Sequence, residues 1–329
     1  MLPAVNGPTL VTGGAGYVGA EVVGALLDAG REARILDNLL HGQEDVAKDL
    51  EERGAKLTVG DIRDPEARRA ALEGAESVVH LAAIVGDPAC ARDPELARET
   101  NVESTRSLIE DAGAAGVSHL IFASTCSNYG RMADPETPVD EEAPLAPVSL
   151  YAEQKVEIEK MLLEGSNGST VPTCLRFATV YGAAPRMRFD LTVNEFTREL
   201  WDDRDLEVFG EQFWRPYVHV RDAARAIVRV LEAGPEEVGR DVFNVGDSDE
   251  NYRKLDLVEI ITGIVPRGNV SYVHKDEDPR DYKVAFEKIR ERLGFELTMK
   301  VPDGVGEVAK GLDDGDFGDP FAAKHRNTP

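Results

Sequence analysis

The stretch Leu10-Val11-Thr12-Gly13-Gly14-Ala15-Gly16-Tyr17-Val18-Gly19 constrains the fold of this chain more than any other. A short apolar run at 9–12 stops at a glycine-rich turn, and an amphipathic run then extends to Gly30. That order predicts strand, phosphate-binding loop and helix. Gly13 permits the tight turn, Gly16 lets the backbone approach a pyrophosphate, and Gly19 lets helix and strand pack closely. The pyrophosphate would rest on the helix N-terminus, where N–H groups and the helix dipole favour an anion. The glycines fit two overlapping registers, from Gly13 and from Gly14, and neither is specific by itself. The context supplies specificity. A second strand, 33–36, ends in Asp37, close to the ~20-residue distance at which a carboxylate meets an adenosine ribose. Dinucleotide binding is the expectation. Asp37 would repel a 2′-phosphate, and Asn38-Leu39-Leu40 brings no arginine to offset it, so NAD is expected rather than NADP.

Further along, β and α patterns alternate. A third strand at 56–59 ends in Gly60-Asp61-Ile62, where a carboxylate followed by an apolar side chain suits an adenine edge on a hydrophobic wall. Asp64-Pro65 reads as N-cap and first residue of a helix. The fourth strand, 77–83, is continuous and apolar, as befits burial on both faces, and its end Leu81-Ala82-Ala83 would face the cofactor. His80 within it reads as a packed core residue. A turn-rich loop at 84–94 follows, beyond a strand's C-terminal end, where open α/β sheets bind ligands. Then come a long helix from Glu95 to Gly113, a fifth strand at 119–124, a surface loop at 131–148, a helix carrying Tyr151 and Lys155, and a sixth strand at 173–180. Five such alternations with glycines at the switch predict an α/β protein with a Rossmann-type doubly wound parallel sheet.

The remainder has a different texture and predicts a smaller, mixed α/β C-terminal substrate lobe. The expected boundaries are 1–182 for the dinucleotide-binding domain, with 217–246 returning to it, and 183–329 for the lobe. Within these parts we expect helix 189–200, strand 206–209, and a segment Arg215–Val220 that leads to a helix capped by Asp222 and running to Gly234. Strand 242–245 and helices near 255–264, 285–293 and 303–311 follow, and 313–329 forms a packed or frayed tail.

Composition narrows the partners. Sixty-one acidic against 37 basic residues give a formal charge of −24. Such a surface disfavours nucleic acid and anionic lipid, so a nucleotide ligand must be met by locally placed arginines. Solubility is the default reading of the acidity, and adaptation to high salt the alternative. No apolar run reaches the ~20 residues of a membrane span. The N-terminal stretch lacks a basic flank and an apolar h-region, so the expected location is cytoplasmic. Cys90, Cys126 and Cys174 have no metal-ligand spacing, and no metal is expected.

Tyr151 and Lys155 lie one helical turn apart on one face. A tyrosine with a reference pKa of about 10 is a poor base at neutral pH, but a neighbouring lysine and a nicotinamide cation both stabilise the phenolate. Thr125, ending the fifth strand, is placed to share a substrate hydroxyl proton.

With these residues in place the chain resembles the extended short-chain dehydrogenase/reductases of the NAD-dependent sugar-nucleotide epimerase/dehydratase family. TGGAGYVG, Asp37, GDIRD, HLAA, FASTCSNYG, YAEQK, LRFATVYG and RPYVHVRD carry the likeness over about residues 9–225. The resemblance implies Thr125, Tyr151 and Lys155 as the catalytic set. For the cofactor it implies Gly13, Gly16, Tyr17, Val18, Gly19, Asp37, Asn38, Asp61, Ile62 and Leu81–Ala83, with Tyr151 and Lys155 contributing. For a nucleotide sugar it implies Arg215 at the diphosphate, Asn194 and Arg280 at the nucleotide, and Asp87 and Thr179 as further contacts; an arginine fork suits phosphate. Relatives also pair the helix near Glu95 with the Tyr151 helix in a homodimer.

Two departures stand out. Thr179 occupies a position where the family usually has Asn. Cys126-Ser127 follows the catalytic Thr where the family's dehydratases carry Asp-Glu. The expected activity is therefore a sugar-nucleotide epimerase with tightly held NAD, acting by transient oxidation to a keto-sugar and hydride return to the opposite face at C4. An NDP-ketosugar reductase with exchanging cofactor is the alternative. A catalytically silent NAD-binding protein is disfavoured by the intact Thr125/Tyr151/Lys155 set, and a reductase of non-sugar substrates by Arg215 and Asn194.

Overall fold

The computed structural model describes residues 7–132, 134–165, 168–275 and 280–327. Residue 133 of the 131–148 loop and the last two residues of the tail lie outside them. The first elements are β1 (Thr9–Thr12), α1 (Tyr17–Asp28), β2 (Ala33–Asp37), α2 (Glu44–Glu52), β3 (Lys56–Val59), α3 (Pro65–Leu72) and β4 (Ser77–His80). Next come α4 (Asp87–Arg92), α5 (Pro94–Arg98), a π-helical turn (Glu99–Glu103), α6 (Ser104–Ala115), β5 (His119–Thr125), α7 (Leu150–Glu164), β6 (Val171–Phe177) and β7 (Thr179–Tyr181). Then follow α8 (Thr192–Trp201), β8 (Leu206–Phe209), β9 (Trp214–His219), α9 (Val220–Ala233), α10 (Pro235–Val238) and β10 (Asp241–Val245). The last are β11 (Asn251–Arg253), α11 (Lys254–Ile264), β12 (Val270–Val273), α12 (Glu287–Leu293) and α13 (Val301–Asp314).

The chain divides into two compact units. The first comprises the described residues up to Thr125, Ser149–Arg176 and Ala224–Phe243; the second comprises the remainder. The first is built on a seven-stranded sheet in the order β10-β6-β5-β4-β1-β2-β3. Its strands pair in parallel on both sides of β1. The order reverses between β1 and β4, the switch point where doubly wound sheets bind ligands. The middles of the central strands are apolar, as burial on both faces favours, with Leu10, Val11, Val78 and Val79 fully buried, while the buried Thr9 and Ser77 at their starts hydrogen-bond each other. Leu36, Ile62, Leu72, Leu108, Phe122 and Leu162 complete the core between sheet and helices. Asp64 caps α3 as its position predicts, accepting the Glu66 N–H.

Several boundaries differ from the expectations, each for a local reason. β4 stops at His80 rather than Ala83, because the Thr12 hydroxyl oxygen takes the N–H groups of Leu81 and Ala82. Residues 84–94 are not all loop: α4 opens at Asp87-Pro88 after Gly86, and Asp93-Pro94 repeats at α5 the cap-and-proline signature that starts α3. The long helix expected over Glu95–Gly113 is broken by the π-helical turn, where the Thr105 hydroxyl bonds back to the Asn101 carbonyl. The strand expected over 173–180 splits, and its second half, β7, joins another sheet. Asp222 is no cap. Helix α9 starts at Val220, and the buried Asp222 carboxylate accepts from Thr298 N, Thr298 Oγ1 and Met299 N at 2.7–2.9 Å.

The second unit holds the sheet β11-β9-β7 and the parallel pair β12-β8. β11 and β12 were not foreseen; each is only three or four residues long and mostly half-exposed. The apolar faces of α8, α11 and α13 close a core around Val193, Leu200, Val208, Leu257, Ile261, Val301 and Val305. α13 extends three residues beyond its expected end, and the tail after it packs rather than fraying: His325 is buried and its carbonyl accepts the Phe189 N–H.

Candidate active site

The glycine turn has the shape a dinucleotide needs. Gly13 sits at φ +70°, and a Cβ there would lie 2.9 Å from the Ala82 nitrogen. A Cβ on Gly19 would lie 2.0 Å from the Gly13 carbonyl oxygen, so helix and loop touch backbone to backbone. Gly16 precedes α1 and has no side chain with which to cap it, and the first turn from Tyr17 to Ala20 holds no acid. That leaves a helix N-terminus favourable to an anion. Asp37 closes β2 beside this turn. One carboxylate oxygen accepts Ala15 N at 3.0 Å, and the other accepts Leu39 N at 2.9 Å and Gln43 Nε2 at 3.2 Å. The predicted ribose acid thus also braces the loop. The residues present fit a bound dinucleotide.

Asp61 is held differently from the expectation of a carboxylate offered to adenine. Its two oxygens take the Arg63 fork at 2.9 and 2.8 Å, and the Asn38 side chain bonds to it as well; these contacts keep its carboxyl below the usual range, Arg63 foremost. Ile62 is buried in the core of the first unit. Leu81, Ala82 and Ala83 are half-exposed at the end of β4, and Asp87 is half-exposed at the start of α4.

Helix α7 carries the proton-transfer candidates. Ser149 caps it, its hydroxyl accepting Ala152 N at 3.3 Å, which sets Tyr151 in the first turn. Lys155 is buried. Its ammonium donates to the Ala123 carbonyl of β5 at 2.7 Å and lies 4.5 Å from the Phe122 ring centroid and 5.7 Å from that of Tyr151. Burial pulls its pKa down to about 8, against opposing contributions from Cys90 and Glu159. Thr125 ends the same strand β5 that Lys155 holds.

Two buried polar networks escaped sequence reasoning. Glu159 lies one turn beyond Lys155, 2% exposed, and joins Ser124 and the Arg176 guanidinium, whose Nη2 is 2.8 Å away. The only sequence signal was an arginine inside the apolar strand β6. The second network runs from β1 to α7. Thr105 donates to the Asn101 carbonyl, so its oxygen accepts from His80 Nε2 at 2.7 Å, and His80 Nδ1 accepts the Thr12 hydroxyl at 2.7 Å. Burial holds His80 neutral, with a pKa of about 3. The Asn101 side chain then binds both Ile84 N and Ile84 O, and donates to Gln154 Oε1 at 2.8 Å. Asn101 thereby ties the segment after β4 to the residue before Lys155.

In the second unit, Arg215 on β9 is buried, donates to the Trp214 carbonyl at 2.7 Å and lies 5.4 Å from the Tyr282 ring centroid. Burial pushes the Tyr282 phenol up to about 12 and raises that of Tyr217, while Arg215 and Arg280 pull both back. Two cations therefore converge on the same pair of tyrosines, of which Tyr282 was not foreseen. Thr179 opens β7, opposite Tyr217 of β9. Asn194 is fully buried; its amide accepts Gly182 N at 2.9 Å and donates to the Arg188 carbonyl at 2.9 Å. That amide braces the chain leaving β7. Cys126 is buried at the start of the 3₁₀ turn after β5, and the next residue, Ser127, receives a long hydrogen bond, 3.5 Å, from the Tyr282 hydroxyl.

Among the described residues no group of three His, Cys, Asp or Glu could hold a metal ion, and no helix is long and apolar enough to cross a membrane.

The model of the NAD dependent epimerase/dehydratase family matches residues 9–246. The UDP-glucose 4-epimerase of Bacillus subtilis (strain 168) is 29% identical over 314 residues, 87% of this chain and 91% of that protein. The dTDP-glucose 4,6-dehydratase of Streptomyces niveus is 29% identical over 315 residues, 92% of this chain and 91% of that one. Among solved structures, the Thermus thermophilus UDP-glucose 4-epimerase in complex with NAD superposes with a TM-score of 0.81 at 25% identity, covering 93% of this chain and 99% of its own. Sequence, sheet order and the glycine cradle agree, and the chain belongs to the NAD-dependent epimerase/dehydratase family of enzymes.

Proposed function

We propose that this enzyme is a nucleotide-sugar epimerase, inverting C4 of the sugar through a transient keto-sugar. The observation that carries the reading is the Tyr151–Lys155 pair on α7, with the lysine anchored to the carbonyl of Ala123 on the strand that ends in Thr125. The glycine turn, Asp37 and the end of β4 would hold NAD, which when bound would supply a reversible redox partner for the sugar carbon. Tyr151 removes the proton of the sugar hydroxyl and later returns one to the product alcohol. Lys155 keeps a cation beside the phenolate, and Thr125 shares the travelling proton. Arg215 holds the diphosphate and Arg280 the nucleotide, so the sugar can turn while the nucleotide stays anchored. Asn194 acts by bracing Gly182 and Arg188, and so holds the loop 183–191 that lines the sugar pocket; Asp87 and Thr179 are assigned as further substrate contacts.

Apart from Asp87, the residues assigned to substrate fall in the second unit and those assigned to cofactor in the first. This supports a division of labour between an NAD-binding domain and a substrate lobe; 126–148, 177–182, 217–223 and 244–246 fall in the second unit, on the lobe's side of the expected boundaries. We propose a cytoplasmic homodimer formed through the segment α5–π-turn–α6 and α7, which Arg98 and Glu157 already link on one surface. A two-fold interface is the commonest oligomer geometry. Light scattering at micromolar concentration should give twice the chain mass.

Relatives include both epimerases and a dehydratase, so the position after Thr125 decides between them. Elimination of water needs an acid for the leaving hydroxyl and a base for the neighbouring proton. Cys126 and Ser127 have reference pKa values several units from that of a carboxylic acid. Incubation with a panel of nucleotide hexoses should therefore give products of unchanged mass and altered stereochemistry. A product lighter by one water would overturn the reading. Protein denatured by heat should release NAD at close to one per chain; release of none would favour a reductase with exchanging cofactor.

A further inference from the structure

The loop 183–191 has little regular structure, yet Met187 and Phe189 are fully buried and Arg186 is 5% exposed. Part of the cover is chain from beyond α13. The Phe189 N–H donates to the His325 carbonyl at 2.8 Å, and its ring meets those of Phe317 and His325 edge-on, with centroids 5.4 and 5.6 Å apart. The buried Arg186 guanidinium donates to Asn327 Oδ1 at 2.7 Å and to the Arg326 carbonyl at 3.1 Å. The covering segment is itself anchored to α8, where the Arg198 guanidinium lies 4.5 Å from the Phe321 ring centroid. Arg198 is 1% exposed, so this contact is desolvated and stronger than a surface pair of the same kind.

Two different restraints thus act on one loop. Asn194 of α8 holds it at Gly182 and Arg188, and the segment Phe317–Asn327 holds it at Arg186 and Phe189, on either side of Arg188. A loop without a ladder of its own depends on such contacts for a single conformation. We infer that residues 317–327 are a positioning strap for the substrate loop 183–191 and set the affinity for the nucleotide sugar without touching the reacting atoms. The inference rests on the epimerase reading, which assigns that loop to the sugar pocket.

The test uses the full chain with its NAD, comparing Phe321→Ala and His325→Ala with the conservative Phe321→Tyr. UDP-glucose is the probe. Hydrogen exchange over 183–191 should accelerate in both alanine variants, and KM should rise about tenfold while kcat stays within about threefold, the pattern of lost uniform binding. Phe321→Tyr should behave as wild type. NAD content reports whether each variant has folded; if Phe321→Ala does not, His325→Ala carries the test. Unchanged exchange over 183–191 would overturn the strap, and so would faster exchange with an unchanged KM. Absence of turnover on any nucleotide hexose in the wild-type chain would instead overturn the parent reading, and the strap's role in affinity with it.

Discussion

Replacing Tyr151 with Phe should remove most turnover, a fall of about 10²–10⁴-fold in kcat, while NAD still binds. The substitution deletes one hydroxyl and keeps the ring, so the cap at Ser149 and the packing of α7 persist. What is lost is the group that exchanges a proton with the sugar. Lys155→Met makes a sharper test of the same pair. In the protein without cofactor, burial places the Lys155 pKa at about 8, below its ordinary value, so the cation is present below that pH and is lost as pH rises through it. Without the cation the Tyr151 phenol should titrate nearer its ordinary value of about 10. Turnover of Lys155→Met should therefore be most depressed near neutral pH and partly recover towards pH 9–10, whereas Tyr151→Phe should stay low throughout. A pH–rate series on both variants reads this directly. A wild-type rate in Tyr151→Phe would remove the tyrosine from the chemistry.

The frame of the first unit was legible because its signals are local. Gly13 to Gly19 encodes a backbone shape, and Asp64-Pro65 encodes a cap that forms as written. The short run 77–83, bounded by turn signals and alternating with helical patterns, reads as a strand buried on both faces. The helix spacing of Tyr151 and Lys155 likewise places both on one face without any knowledge of the rest. What stayed hidden depends on partners far along the chain. Asp222 looked like a cap because an acid often starts a helix, but its true partners, Thr298 and Met299, are 76 and 77 residues away. Glu159 and Arg176 neutralise each other in the core, and neither residue alone announces that. Tyr282 enters the candidate site through Arg215, far earlier in the chain, whose guanidinium lies 5.4 Å from its ring centroid. The tail after α13 is rich in Gly and Asp, which reads as solvent-facing. Three aromatic rings, Phe317, Phe321 and His325, spaced four apart, were the signal for packing, and their partners on the 183–191 loop and α8 could not be seen from composition.

Gly19→Ala should cost the enzyme its cofactor. The added methyl would stand 2.0 Å from the Gly13 carbonyl oxygen and 2.7 Å from the Gly14 Cα. Both obstacles are backbone of the phosphate loop, so no side-chain rotation relieves them, and the loop itself must move off α1. Overpacking of this kind costs about 1–3 kcal/mol or more. Here the displacement falls on the segment whose N–H groups would face the pyrophosphate, so it should appear as roughly ten- to hundredfold weaker NAD binding. Asp37 spreads the damage, since its carboxylate is bonded to Ala15 in the same loop and shifts with it. Gly306→Ala provides the contrast. Gly306 lies inside α13 with nothing within 4 Å of an added Cβ, and alanine is the better helix former by about 0.5–1 kcal/mol. That variant should bind NAD as wild type does and melt at the same or a higher temperature. Titrating NAD into both proteins by calorimetry separates the cases. Equal affinity in Gly19→Ala would mean that the close approach of loop and helix is not what shapes the cofactor site.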